Sequence, residues 1–193
     1  MARKFMEIAL TPSVKEAQET YYGRHQKVGE GSSIDPLGSR EQEFIQSRDS
    51  FYMATVNEDS WPYIQHRGGP VGFLKIVKPT QLTFADYKGN RQLVSTGNLS
   101  RNNRVSLFLI DYPSRTRLKV LGTAQVFNTK AAPIDMVKKV SSATLGRAER
   151  LFVIDVVSFD WNCPQYITPR YTRNEIGSIV EGLQARIQEL ERS

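Results

Sequence analysis

The residues of this chain best equipped for chemistry lie between His66 and Asn103, where HRGGPVGFLK is followed fifteen residues later by NRQLVSTGNLSRNN. Arg67, Lys75 and Arg91 can neutralise a phosphate or bond it bidentately. Asn90, Gln92 and Asn98 can bond the polar edge of a ring, and Gly68 and Gly69 let a backbone come close to a ligand. The combination suits an anionic, planar ligand. Elsewhere the supply of reactive groups is thin. The only histidines, His25 and His66, stand forty-one residues apart, and Cys163 is the only cysteine. No H-E-x-x-H, paired C-x-x-C or G-x-S-x-G pattern is present, so neither a zinc site nor a nucleophile elbow has sequence support. The P-loop pattern and a strand-to-helix G-x-G-x-x-G are missing too. A chain short of nucleophiles and metal ligands but rich in phosphate-binding elements reads as the holder of a reactive cofactor.

Charge is concentrated in the same region. Residues 51–130 carry eleven Lys and Arg against four Asp and Glu, whereas residues 1–50 carry seven against eight and residues 131–193 eight against eight. A local basic field of this kind draws a phosphate-bearing ligand. It would draw nucleic acid as well, but the aromatic-and-basic platforms of single-strand binders are not evident, so nucleic acid is not the expected partner. The 193 residues fit one domain with appendages, and 39% apolar content is enough for a globular core. No run of eighteen apolar residues occurs, and MARKFMEIAL is too short and polar for a secretory segment, so the expectation is a cytoplasmic protein without a membrane span. The single cysteine agrees with a reducing compartment.

The elements that must position these residues follow from periodicity. TPSVKEAQETYY, residues 11–22, reads as a helix capped by Thr11 with Pro12 in its first turn. VGEGSSIDPLG is an irregular connection, and Ser39-x-x-Gln42 reads as a capping box opening a second helix. FYMATV and residues 63–66, joined by a polar turn, form a predicted hairpin. Further strands are expected at residues 71–77, 82–85, 93–96, 105–110, 118–127 and 151–157, one helical turn at 98–103, and a helix within 132–145. Brief connections favour an antiparallel barrel over a parallel sheet. Ile176, Val180, Leu183, Ile187 and Leu190 make one stripe on a C-terminal helix, to be packed on its own barrel or on a partner chain.

Several blocks in order, FYMATVNEDSWPYIQHRGGPVGFLK, LTFADYKGNRQLVSTGNLSRNNRVSLFLID, RLKVLGTAQV and FDWNCPQYITPRYT, resemble the pyridoxamine 5′-phosphate oxidase-like family of flavoproteins over roughly residues 44–172. The resemblance implies a mainly β fold, an antiparallel Greek-key FMN-binding split β-barrel. Residues 39–173 would form it, with 1–38 as a helical extension and loop and 174–193 as an amphipathic helix. It further implies a homodimer with FMN at the interface, the ring held between chains. Carried over by position, Arg67 and Lys75 match residues the family uses for FMN, beside His66. The family's serine-arginine-lysine element appears here as Asn90-Arg91-Gln92, so Arg91 is the foremost phosphate ligand. Arg117 stands where the family often has a glutamine near the flavin, and Trp161 and Arg170 match residues donated by the second subunit. The residues themselves leave alternatives: Arg67 paired with Glu58 or Asp59 of its own hairpin, Trp161 as core, His66 as a strand residue.

The activity implied is FMN-dependent oxidoreduction, with hydride transfer through flavin N5 to or from a small substrate or nicotinamide donor. Lys75 and Arg117 would favour the anionic reduced ring. WNCPQYITPRYT replaces the C-terminal arginine-x-histidine element of the true vitamin B6 oxidases, which points to a different substrate. A non-catalytic FMN sensor or carrier, and a haem- or deazaflavin-binding relative, are the competing readings; haem would want an axial histidine.

Overall fold

A computed structural model describes residues 3–29, 33–89, 91–140, 144, 147–161 and 164–192. Seven strands form one antiparallel sheet: β1 (Ser50–Val56), β2 (Pro62–Gly68), β3 (Lys75–Lys78), β4 (Gln81–Tyr87), β5 (Arg104–Asp111), β6 (Thr116–Asn128) and β7 (Ala148–Trp161), in the order β2-β1-β5-β6-β7-β4-β3. Strict alternation sets the core. Phe51, Met53 and Thr55 of β1, Val105, Leu107 and Leu109 of β5, and Leu118, Val120 and Ala124 of β6 all turn to one side. There they meet Leu82 and Phe84 of β4 and Phe152 and Ile154 of β7. The run LFVI in β7 is buried on both faces, because Leu151 and Val153 pack outward with Ala85, Met136 and Val140.

Among the described residues six helices flank the sheet: α1 (Arg3–Ala9), α2 (Pro12–Tyr22), α3 (Ser39–Gln46), α4 (Val94–Arg101), α5 (Ile134–Lys139) and α6 (Arg173–Glu191). Thr11 caps α2 as its sequence predicts, its Oγ1 accepting from Val14 N. The α3 start differs from the Ser39–Gln42 reading. Ser39 is already helical; Gly38 is the cap residue, its N–H donating to Glu41 Oε2 at 2.9 Å, while Gln42 Nε2 donates to Leu37 O at 2.8 Å. Long β6 and β7 shear past each other at Gly122, where a Cβ would come within 2.5 Å of Asp155 O, so only glycine fits.

Three element boundaries depart from the sequence reading. Residues 93–96 are the start of α4 rather than a strand, and the turn expected at 98–103 is the end of the same helix. The strand expected over 71–77 is confined to Lys75–Lys78, because Gly72 turns the chain at φ +70 with a hydrogen bond from its N–H to Arg48 O. The helix within 132–145 is the short α5; residues 141–143 and 145–146 lie outside the described residues. The C-terminal helix forms as predicted, with a complete capping box between Thr172 and Glu175. Its stripe, however, is not buried within this chain: Ile176, Val180, Leu183, Ile187 and Leu190 are all exposed.

Candidate functional site

β2 and β3 are the two edges of the sheet, and the barrel is split between them. A side chain spans the gap. Arg67 on β2 reaches over the core end, its guanidinium 5.0 Å from the Phe152 ring centre, and its Nη1 lies 2.7 Å from Asp86 Oδ1 on β4. Asp86 is shared with β7: Arg150 Nε and Nη2 each stand 2.9 Å from its Oδ2. The Arg67 side chain is only 13% exposed. Burial pushes its pKa down and Asp86 opposes that shift, so the guanidinium stays charged. Its Nε is buried beside the Phe84 and Phe152 rings and has no hydrogen-bond partner among the described residues.

Above this triad opens a cleft of about 270 Å³. Alternation along β2 brings Tyr63 and Gln65 to the same wall as Arg67. The opposite wall is residues 91–96 entering α4. Arg91 and Leu93 both take left-handed backbone conformations, φ +61 and +54, and Leu93, the cap residue, makes no side-chain cap bond. Val94, Ser95 and Thr96, its first turn, line the cleft. Ser95 donates to Gln65 Oε1 at 3.0 Å and ties the helix to β2. An uncapped helix start carries free N–H groups and a positive dipole end, and here it faces the same space as Arg67, Arg91 and Arg150. Three guanidinium groups against one internal carboxylate, with Glu149 at 3.1 Å from Arg150 behind them, leave a cationic cleft suited to a phosphate.

The sequence-derived residues divide into those gathered here and those that are not. Arg67, Arg91 and Gln92 line the cleft; Asn90 lies outside the described residues. His66 turns to the opposite face of β2, edge-on to Tyr52 at 5.5 Å. Lys75 lines a second cleft of about 440 Å³ with Lys138, Lys139 and Val71, and Tyr87 borders both clefts. Arg117 is half-buried on β6, opposite Ile110 of β5, and borders neither cleft. Trp161 packs within its own chain: Nε1 donates to Glu41 Oε1 at 2.6 Å, Phe44 meets it edge-on, and Arg40 stacks at 4.3 Å. Arg170 is exposed and stacks on Tyr112 at 4.9 Å.

Three readings are corrected. Arg67 pairs with Asp86 rather than Glu58 or Asp59; Glu58 is taken by Arg101 at 3.1 Å. Asn98 is buried and spends its amide on Thr55 Oγ1 at 2.9 Å, so it bonds the core and not a ring edge. Gly68 and Gly69 make room for their own chain, because a Cβ on Gly69 would meet the Phe73 ring at 2.8 Å and one on Gly68 the His66 ring at 3.0 Å. Residues that sequence reasoning missed are Tyr63, Gln65, Ser95, Asp86 and Arg150. The first two were legible as the Arg67 face of a period-two strand. The Arg150–Asp86 contact joins positions 64 apart and carries no local signal.

Comparison with known proteins agrees with this architecture. The family model described as pyridoxamine 5′-phosphate oxidase matches residues 37–158. No curated protein sequence matches the chain. Among solved structures, HupZ of Group A Streptococcus is similar at 15% identity, covering 70% of this chain and all of that one with a TM-score of 0.53. A Lactobacillus delbrueckii protein, described as a candidate pyridoxamine 5′-phosphate oxidase, is similar at 22% identity over 65% of this chain and 93% of its own, TM-score 0.50. At these identities the structures establish the split-barrel fold, and the family model covers well over half the sequence. The chain belongs to the pyridoxamine 5′-phosphate oxidase family.

Proposed function

We propose that this chain is an FMN-dependent oxidoreductase that seats the FMN phosphate between Arg67, Arg91 and the start of α4. The observation that carries the reading is the convergence of Arg67, Arg91 and Arg150 with the start of α4, whose cap residue Leu93 offers no side-chain acceptor, around one cleft. The residues fit the group. A phosphate in the cleft would neutralise the surplus of guanidinium charge and accept from the N–H groups of the first turn of α4. At about 270 Å³ the cleft is below the ~300–1,000 Å³ usual for cofactor pockets, so it suits the phosphate and its tail. Tyr87 continues the wall toward the larger Lys75 cleft, which has room for more of the ligand.

Bound FMN supplies a ring that accepts a hydride at N5 and hands the electrons on. The protein's contribution is to bind, orient and polarise. Asp86 holds Arg67 and Arg150 in place, and the Ser95–Gln65 bond fixes the helix start against β2. A cation beside the ring would stabilise negative charge developing on it. Lys75, which lines the second cleft, is the residue proposed for that task. Arg117, Trp161 and Arg170 line neither cleft in their own chain; Trp161 and Arg170 would reach the site from a second copy in a homodimer.

Purified protein tests this reading. The expected result is an oxidised-flavin visible spectrum, bleached under anaerobic conditions by a nicotinamide donor or by the correct small substrate. A spectrum without flavin, together with failure to take up added FMN, overturns it; a Soret band would replace it with a haem reading. Flavin that binds but that no donor reduces would mark a carrier.

A further inference from the structure

We infer that α6 pairs with α6 of a second copy of this chain as a parallel two-stranded coiled coil. The inference does not depend on flavin binding; it rests on what the helix exposes. Every described side chain from Arg173 to Arg192 is exposed, apart from the half-exposed Gly177. Five of the exposed apolar side chains make one stripe, Ile176, Val180, Leu183, Ile187 and Leu190, each between 43% and 60% accessible. A nineteen-residue helix carrying two glycines, Gly177 and Gly182, is marginal by itself in water and needs its apolar face covered.

The occupant is legible in the spacing. The steps of 4, 3, 4 and 3 place Val180 and Ile187 at a positions and Ile176, Leu183 and Leu190 at d positions of a heptad. β-branched residues at a, with leucine at two of the three d positions, favour two parallel strands. The flanks agree. Arg186 falls at g and Glu191 at the following e, the pair that meets across a parallel dimer, so each Arg186 faces Glu191 of the partner subunit. An antiparallel pair centred on Leu183 would instead set Arg186 against Ile179 and Glu191 against Gly177, gaining no ion pair. Within one chain Arg186 leans on Glu189, one turn away, and Glu191 lies at the open end of the helix. The stripe is self-complementary, as a two-fold contact requires.

Parallel pairing has a consequence for the rest of the molecule. It brings the two Arg173 ends side by side and the two 164–172 segments, Arg170 included, toward the same axis. Two heptads form a weak contact alone, but tethering to a second contact between the barrels raises the effective concentration of one helix near the other.

Cysteine cross-linking in the full chain tests it. In a Cys163→Ser background, Leu190→Cys and Ile176→Cys place one thiol each at d positions, where parallel partners come within disulfide reach. The expected result is that each variant alone forms an interchain disulfide under mild oxidation, several-fold more than Gln188→Cys on the outer face. Cross-linking only in the double variant Ile176→Cys/Leu190→Cys would show antiparallel helices and overturn the proposal. Equal cross-linking at Gln188→Cys, or none anywhere, would overturn it too. Flavin content measured on the same preparations separates the two readings: retained flavin without cross-links removes only the coiled coil, and cross-links without flavin remove only the FMN assignment.

Discussion

Arg67 and Arg91 do different work although both face one cleft, and the difference is burial. Arg91 is exposed and makes none of the ion pairs seen at Arg67, so its loss should cost binding and little else. Arg91→Ala is expected to fold with unchanged far-UV circular dichroism and to bind FMN about 10- to 100-fold more weakly, the ~1.5–3 kcal/mol of a charged hydrogen bond. A dissociation constant equal to that of the parent protein would remove the residue from the phosphate site. Arg67 is also structural. Arg67→Met strips Asp86 of one partner, but Arg150 continues to neutralise it. The expected cost is therefore below the ~3–5 kcal/mol of an isolated buried pair, about 1–3 kcal/mol in urea unfolding, together with loss of FMN. Arg67→Met with full stability would show that the bridge across the barrel split carries no weight.

At the scale of elements, the site depends on how β2, β4, β7 and α4 are held in register. Thr55→Val deletes the hydroxyl that accepts from Asn98 and leaves a buried amide without its partner. The expectation is a loss of about 1–3 kcal/mol, read as a shift of the urea midpoint, and some weakening of FMN binding because Asn98 anchors α4 to β1. Gly122→Ala forces a methyl toward Asp155 O and should destabilise the β6–β7 crossing without touching the cleft; a midpoint equal to the parent's would contradict that packing. These elements were unevenly legible in the sequence. Strands with clean alternation, such as FYMATV and RVSLFLI, declare themselves because one face is apolar. LVST at residues 93–96 reads as a strand by composition, and it becomes a helix because Ser95, Asn98 and Leu99 are needed inside, at helical spacing, against β1 and β2. The Gly-rich block announced a phosphate site for a reason that does not hold, since its glycines accommodate Phe73 and His66. The charged groups of the cleft were half visible: Arg67 and Arg91 from their motifs, Arg150 and Asp86 only from the fold.

For the whole molecule, the proposed phosphate site is built by one chain, while the half-buried Trp161 and the exposed Arg170 stand away from it. Two copies are therefore expected in solution, and light scattering should return twice the mass of the chain; a monomer at assay concentration would contradict interface-built sites. Among the described residues no helix is long and apolar enough to cross a membrane, and no group of three His, Cys, Asp or Glu could hold a metal. The proposed function rests on the cleft, where guanidinium charge meets a helix start whose cap residue offers no side-chain acceptor. Those features recognise a phosphate specifically, and riboflavin is FMN without one. The most direct test is a parallel titration of flavin-free protein with FMN and with riboflavin. Saturable FMN binding at one per chain, with riboflavin at least ~10-fold weaker, is the predicted outcome. Equal affinity for the two flavins, or none for either, would contradict the central claim.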